Sequence, residues 1–278
     1  MALSIHTNYS SLVTQTNLGK TNNALGTNQQ RLGTGMRINS AADDAAGLQI
    51  ATRLNAQSRG MDVAMRNTGD AISLLQTAEG AFNETTDILQ RMKDLATQAA
   101  NDTNSADDRT SLQSEFDELA KEITNIFNNT KYAGENLFTT KLAAPVSFQI
   151  GASSAETLAF DVSADLGTLD TTLNTTVTAL TLDSAANAGL AMTALEGALD
   201  DVGAMRASFG ANINRLNHTA NNLANMKDNT DMAKGRIMDA DFAKESANMT
   251  KNSMLMQSGI SMLKQAGQMP GMVMSLLG

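Results

Sequence analysis

The chain has 278 residues and a net charge of −9, with 42% hydrophobic residues but only 4% aromatic, no Trp, no Cys and 2 Pro. Without cysteine it forms neither disulfides nor thiolate metal sites, and its acidity opposes nucleic-acid binding by phosphate neutralisation. No run of about 18 apolar residues is present, so no membrane insertion is expected. The charge is unevenly placed. All 29 carboxylates lie between Asp43 and Glu245, against 15 bases in that stretch. The two ends carry only Lys20, Arg31, Arg37, Lys251 and Lys264.

In chain order, residues 1–35 read as a helix after a short lead-in, with Ile5 and Leu12, then Leu18, Leu25 and Leu32 seven apart. Gly33 and Gly35 predict a bend. Leu54, Met61, Thr68, Leu75, Phe82, Leu89 and Ala96 then recur every seven positions, with Met65 and Ile72 as the companion row. That heptad predicts a coiled-coil-like helix from Ala45 to about Ala100. Its length, about 80 Å, points to an elongated molecule. Ser105 with Asp108 resembles a capping box, opening a helix with Leu112, Phe116, Leu119, Ile123 and Ile126 on one face and an end near Asn128–Asn129.

Residues 131–184 form the expected β region. Val146, Phe148 and Ile150 alternate, as do Leu158, Phe160 and Val162, around a turn at Gly151–Ser154, which reads as a hairpin. The Thr-rich 167–184 is expected to add a strand and loops. Helical spacing returns at Leu195, Leu199, Val202, Phe209, Ile213, Leu216, Ala220 and Leu223. Beyond a linker at Asn225–Arg236, a last helix carries Met249, Met256 and Leu263 on one row and Leu255, Met262 and Met269 on another, with Pro270 as its stop. The fold class is therefore mainly α: a long antiparallel coiled-coil-like helical rod (43–236) with a small β-hairpin region and paired terminal helices (1–42 with 237–278).

No catalytic constellation is present. His6 and His218 stand apart from any HExxH, and neither phosphate-binding nor EF-hand loops are found. Asp43–Asp44 and Asp239 with Asp241 read as helix-start carboxylates. The expectation is no enzyme, no cofactor and no metal. Seven of the 17 Met lie beyond residue 248, and Met suits surfaces that repack against protein partners. A membrane-surface helix would need a basic face, and Lys251 and Lys264 alone do not make one.

Three segments carry a family resemblance. QRLGTGMRINSAADDAAGLQIATRL (Gln30–Leu54), NHTANNLAN (Asn217–Asn225) and DADFAKESANMTKNSMLMQSGISMLKQAGQMPGMVMSLLG (Asp239–Gly278) resemble the signatures of bacterial flagellin, and the hairpin VSFQIGASSAETLAFDV is similar to the family's short β region. The resemblance implies a subunit that self-polymerises into the extracellular flagellar filament. It implies export in unfolded form through the flagellar type III apparatus, in accord with an opening stretch lacking the basic leader, apolar core and cleavage site of a secretory signal. The implied partners are further copies of the chain, an export chaperone, the cap protein and hook-associated junction proteins.

Only about 55 residues separate the rod helices here, so the family's outer domains are expected to be missing. Leu18, Leu25 and Leu32, with Met256, Leu263 and Met262, would be polymerisation residues. The motif Leu89–Gln98 and the Glu after it match the family's Toll-like receptor 5 patch at Arg91, Leu95 and Glu115, with Asp94 where Glu is usual. Family members often carry O-linked sugars, for which Ser153, Ser154, Thr157, Thr172, Thr175 and Thr176 are candidates. The rival readings are a hook–filament junction protein, which would not form long filaments alone, and a secreted coiled-coil effector or adhesin.

Overall fold

Helix formation follows the apolar spacing along most of the chain. The computed structural model describes residues 7–277, and for 269, 270 and 272–277 the backbone alone. Ile5 and His6 lie outside the described residues, as does the side chain of Met269. The chain divides into two compact units, Met1–Ala56 with Asn229–Gly278, and Gln57–Asp228. Both divisions fall inside long helices, where composition gives no signal.

In the first unit, α1 (Tyr9–Thr34) opens on Asn8, whose side-chain oxygen accepts from the Ser11 N–H at 3.0 Å. It closes on Gly35 at φ 70°, a left-handed cap that glycine adopts without a Cβ clash. The following strand-like stretch pairs with the end of α5 (Ala185–Met238). Arg37 N–H donates to the Met238 carbonyl at 2.6 Å, and Ala240 N–H donates to that of Gly35 at 2.9 Å. Asp241 then caps α6 (Phe242–Leu277), accepting from the Ala243 and Lys244 amides.

Two boundaries differ from the sequence expectation. Asn225–Arg236 is not a linker: α5 continues through it, and the break comes at Asp239–Asp241, where extended pairing with residues 35–37 replaces helical bonds. Nor does Pro270 stop α6. Proline has no N–H for the carbonyl four residues back, here that of Ala266. Asn8 Nδ2 donates to that carbonyl at 2.7 Å, so the orphan acceptor is satisfied from α1 and the helix runs on.

In the second unit, α2 (Ala45–Ala99) and α5 run antiparallel, joined by Lys93–Glu196 at 2.9 Å and Lys227–Asp62 at 3.4 Å. Met61, Thr68, Leu75, Phe82, Leu89 and Ala96 are all buried, as the heptad predicts. The companion row is different. It consists of Ala64, Ala71, Ala78, Thr85, Met92 and Ala99, whereas Met65 and Ile72 are only half buried. Small residues let the helix backbones approach, and they carry too little hydrophobicity to stand out in a sequence.

Helix α3 (Ala106–Asn129) begins with the predicted reciprocal cap between Ser105 and Asp108. After a two-residue ladder, β1 (Lys131–Tyr132) with β2 (Glu135–Asn136), a wide helical turn at Leu137–Lys141 brings Phe138 inward. The hairpin β3 (Val146–Gln149) and β4 (Thr157–Phe160) pairs Phe148 with Leu158 and Val146 with Phe160. Its turn lies on α2 at Gly60, where a Cβ would meet that of Ala152 at 2.7 Å. Phe82 gathers the core, with ring centroids 4.8 Å from Phe138 and 5.6 Å from Phe209.

The Thr-rich stretch is a correction. It is helical, as α4 (Ser163–Thr171) and two further turns through Ala179, and not a strand. Leu166, Leu169, Leu173 and Val177 are spaced for one helix face and all are buried. That burial outweighs the β preference of threonine.

Candidate functional site

The terminal pair is built from two heptad faces. On α1, Thr14, Leu18, Thr21, Leu25 and Asn28 face inward. On α6, Glu245, Met249, Asn252, Met256, Gly259, Leu263 and Ala266 do so. The pairing is antiparallel: Asn8 meets Ala266, Leu18 meets Gly259 and Arg31 meets Glu245. Leu18, Leu25, Leu32, Met256 and Leu263 are half buried here, while Met262 points outward at 54% exposure.

The polar contacts of this face carry no signal in a hydrophobic pattern. Glu245 and Asn28 are each 7% exposed. One carboxylate oxygen of Glu245 accepts from Asn28 Nδ2 at 2.5 Å and the other from Arg31 Nη1 at 3.2 Å. Asn28 Oδ1 in turn accepts from Asn252 Nδ2 at 3.2 Å. A buried charge persists only when paired in this manner. The one clue in the sequence is that Glu245, the last acid of the chain, falls on the same 4-3 spacing as Met249, Asn252 and Met256.

The outward faces lack carboxylates and carry exposed apolar residues near the start of α1 and along α6. Tyr9, Leu12 and Val13 on α1, with Phe242, Met254, Leu255, Ile260 and Met262 on α6, are exposed large hydrophobic residues. Neither helix has an acid apart from the buried Glu245. So many large apolar side chains exposed on two helices point to an association face.

The 36–44 loop that leads into α2 is organised by Asp43. Its carboxylate accepts from the Ser40 and Asn39 amides and the Ser40 hydroxyl, and these bonds, the Ser40 amide first, hold its pKa below the ordinary 3.8. Asp44 caps α2 at the Gly47 amide.

On the rod, Arg91 and Glu115 form an exposed ion pair at 2.6 Å. Leu95 does not share that surface. It is 1% exposed and belongs to the buried core, so it supports the patch from beneath. Ser153, Ser154, Thr157, Thr175 and Thr176 are exposed, whereas Thr172 is half buried with its hydroxyl donating to the Thr168 carbonyl. His218 borders an open groove of about 400 Å³ with Arg215 and Glu156. Among the described residues no group of three or more His, Asp or Glu is placed to hold a metal ion, and no helix is long and apolar enough to cross a membrane.

The model of the bacterial flagellin N-terminal helical region matches residues 5–142, and that of the C-terminal helical region matches 192–277. The chain belongs to the bacterial flagellin family. Flagellin A of Vibrio anguillarum is 36% identical over 379 aligned positions, with 100% of both chains covered. Flagellin A of Vibrio cholerae serotype O1 is 34% identical at the same coverage. The aligned length exceeds the 278 residues here, so these flagellins carry segments that this short form lacks. The crystal structure of Bacillus cereus flagellin is 37% identical, covering 57% of this chain and 88% of that one at a TM-score of 0.50. A Vibrio parahaemolyticus chain provisionally described as a flagellar hook-associated protein covers 71% of this chain and 100% of its own at a TM-score of 0.58, but at 16% identity it shares the fold alone. Full-length likeness to flagellins favours a filament subunit over a junction protein. The family is structural, and its filament is extracellular.

Proposed function

We propose that this filament subunit polymerises through the terminal pair, residues 1–42 with 237–278, by seating the outward rows of α1 and α6 on neighbouring copies. The observation that carries this is the set of exposed large apolar side chains on α1 and α6, two helices whose one acid, Glu245, is turned inward. A carboxylate there would be desolvated at great cost once copies close around it. In the assembled tube the inward Leu18, Leu25, Leu32, Met256 and Leu263 hold the pair together, and Met262 belongs to the shared face. Electron microscopy of the doubly substituted Leu255→Asp, Met262→Asp chain is expected to show no filaments, with circular dichroism of the monomer unchanged. Filaments of ordinary length would refute the assignment.

The same surface accounts for the export partners. Before assembly an apolar row of this kind needs cover, which an export chaperone supplies. Passage in unfolded form, without cleavage, through the type III channel then delivers it to the cap protein at the growing tip and, at the base, to junction proteins. Intact-mass measurement of filament subunits beginning at residue 1 or 2 supports export without a cleaved leader, and loss of a longer N-terminal segment refutes it.

A receptor role for the rod rests on the exposed Arg91–Glu115 pair lying on a motif shared with family members recognised by Toll-like receptor 5. Leu95 contributes by fixing the helix face. Monomer applied to reporter cells is expected to lose activity on Arg91→Ala, and unchanged activity removes the assignment. For O-linked sugars, Ser153, Ser154, Thr157, Thr175 and Thr176 offer accessible hydroxyls and Thr172 a less accessible one. An intact mass of 29.3 kDa from filaments would dismiss modification.

A further inference from the structure

A heptad repeat specifies that two helices pair, but not at which offset. Sliding α6 along α1 by seven residues exchanges Met249, Met256 and Leu263 among equivalent slots. These are side chains of similar size, so the apolar rows of the terminal pair tolerate the slip. Three contacts in the structure do not repeat. The first is the buried network of Glu245 with Asn28 and Arg31, extended by Asn252. The second is Leu18 in the gap at Gly259, where any Cβ would meet the leucine Cδ1 at 2.8 Å. The third is Asn8 on the Ala266 carbonyl that Pro270 leaves without a donor.

We propose that Glu245, Asn28 and Arg31 are the register key of the terminal pair, with Leu18–Gly259 and Asn8–Ala266 as secondary stops. The inference rests on the assembly reading and adds the residues that make assembly specific. Slipped one heptad in one direction, Glu245 faces Thr21 and Ala24. Slipped in the other, it passes the end of α1 at Thr34. Either way it loses Arg31, and a buried carboxylate without its cation is strongly disfavoured. In the same slips Leu18 faces Asn252 or Ala266 instead of glycine. Register matters to the filament because it sets which outward residues of α1 stand level with which of α6. Subunits in mixed registers present different faces and cannot share one lattice.

The natural absence of cysteine provides the test. At the native offset defined by Leu18 and Gly259, Thr14 stands level with Leu263, and after a one-heptad slip it stands level with Met256. Full-length chains carrying Thr14→Cys with either Leu263→Cys or Met256→Cys are polymerised, oxidised and resolved as monomers on non-reducing gels, so that only bonds within one chain are counted. In the otherwise natural background the Leu263→Cys pair is expected to exceed the Met256→Cys pair by at least about tenfold. In Asn28→Leu, Glu245→Leu that ratio is expected to fall toward one, with shorter filaments and no loss of helix content.

Asn28→Ala, Glu245→Ala repeats the test without the risk of overpacking and is expected to give the same fall. Glu245→Gln is expected to give a ratio between those of the natural chain and the double variants, because turning the Asn28 and Asn252 amides over restores the hydrogen bonds around the new amide while the charge paired with Arg31 is lost. A natural ratio in both neutralised double variants would overturn the register role while leaving the assembly reading intact. Failure of the natural chain to polymerise at all would overturn both.

Discussion

The unit Gln57–Asp228 and the terminal pair are both helical and both follow heptads, yet they bury different things. The former closes around Phe82, Phe138, Phe160 and Phe209, all at most 3% exposed, with ring contacts linking them. The latter has a thin inner face of Thr, Leu and Met, a buried ionic network, and large apolar residues turned outward. One region carries its own core. The other turns large apolar residues outward, which the proposed assembly covers with further copies of the chain. The lesson is that a shared periodicity does not imply a shared source of stability.

The contrast breaks first at Phe82. Phe82→Ala is expected to cost about 3–5 kcal/mol in the urea unfolding of monomer, followed by circular dichroism, since the buried Phe138 and Phe209 rings lose a common neighbour. A cost near zero would mean that the rod core is not self-sufficient. Gly259→Leu acts on the opposite region. Overpacking against Leu18 is expected to destabilise the pair by about 1–3 kcal/mol, lowering the dissociation temperature of filaments while the monomer's urea midpoint stays put. Removing the α3 cap with Ser105→Ala is expected to take about 1 kcal/mol from monomer stability and nothing from assembly.

The smallest effect is a pH dependence with one group in each region. The Ser40 amide beside Asp43, and the Ser105 hydroxyl beside Asp108, hold these carboxyls below the ordinary 3.8. A depressed carboxyl stabilises its folded surroundings fully above that value, and the contribution disappears as pH falls through the lowered pKa. Hydrogen exchange at the Ser40 and Ser105 amides, which donate to these two carboxylates, corrected for intrinsic rates, is therefore expected to accelerate below pH 3.8. Asp43→Asn abolishes the change at Ser40 and Asp108→Asn that at Ser105.

Much of this was legible beforehand because large apolar residues mark the rows. The heptad from Met61 to Ala96, the cap at Ser105 and the strands around Gly151 all have signals of side-chain size or turn chemistry. The Ala64–Ala99 row was not legible, since alanine reads the same on a buried face as on an exposed one. The Thr-rich helix from Ser163 misled because β-branched content masked four correctly spaced leucine and valine positions. Pro270 misled because the partner that rescues its orphan carbonyl, Asn8, lies more than 250 residues away in the chain. Leu95 followed its motif faithfully, but a motif names a residue without saying which way it points. Asn28 and Glu245 needed the pairing of α1 with α6 before their polarity made sense.

Hydrogen–deuterium exchange of the natural chain, compared between dilute monomer and intact filament, bears most directly on the difference between the two regions. The expected result is rapid exchange along α1 and α6 in the monomer, strong protection of both in the filament, and the same slow exchange between Gln57 and Asp228 in either state. Equal protection of α1 and α6 in monomer and filament would contradict it, because the terminal pair would then be stable without its neighbours.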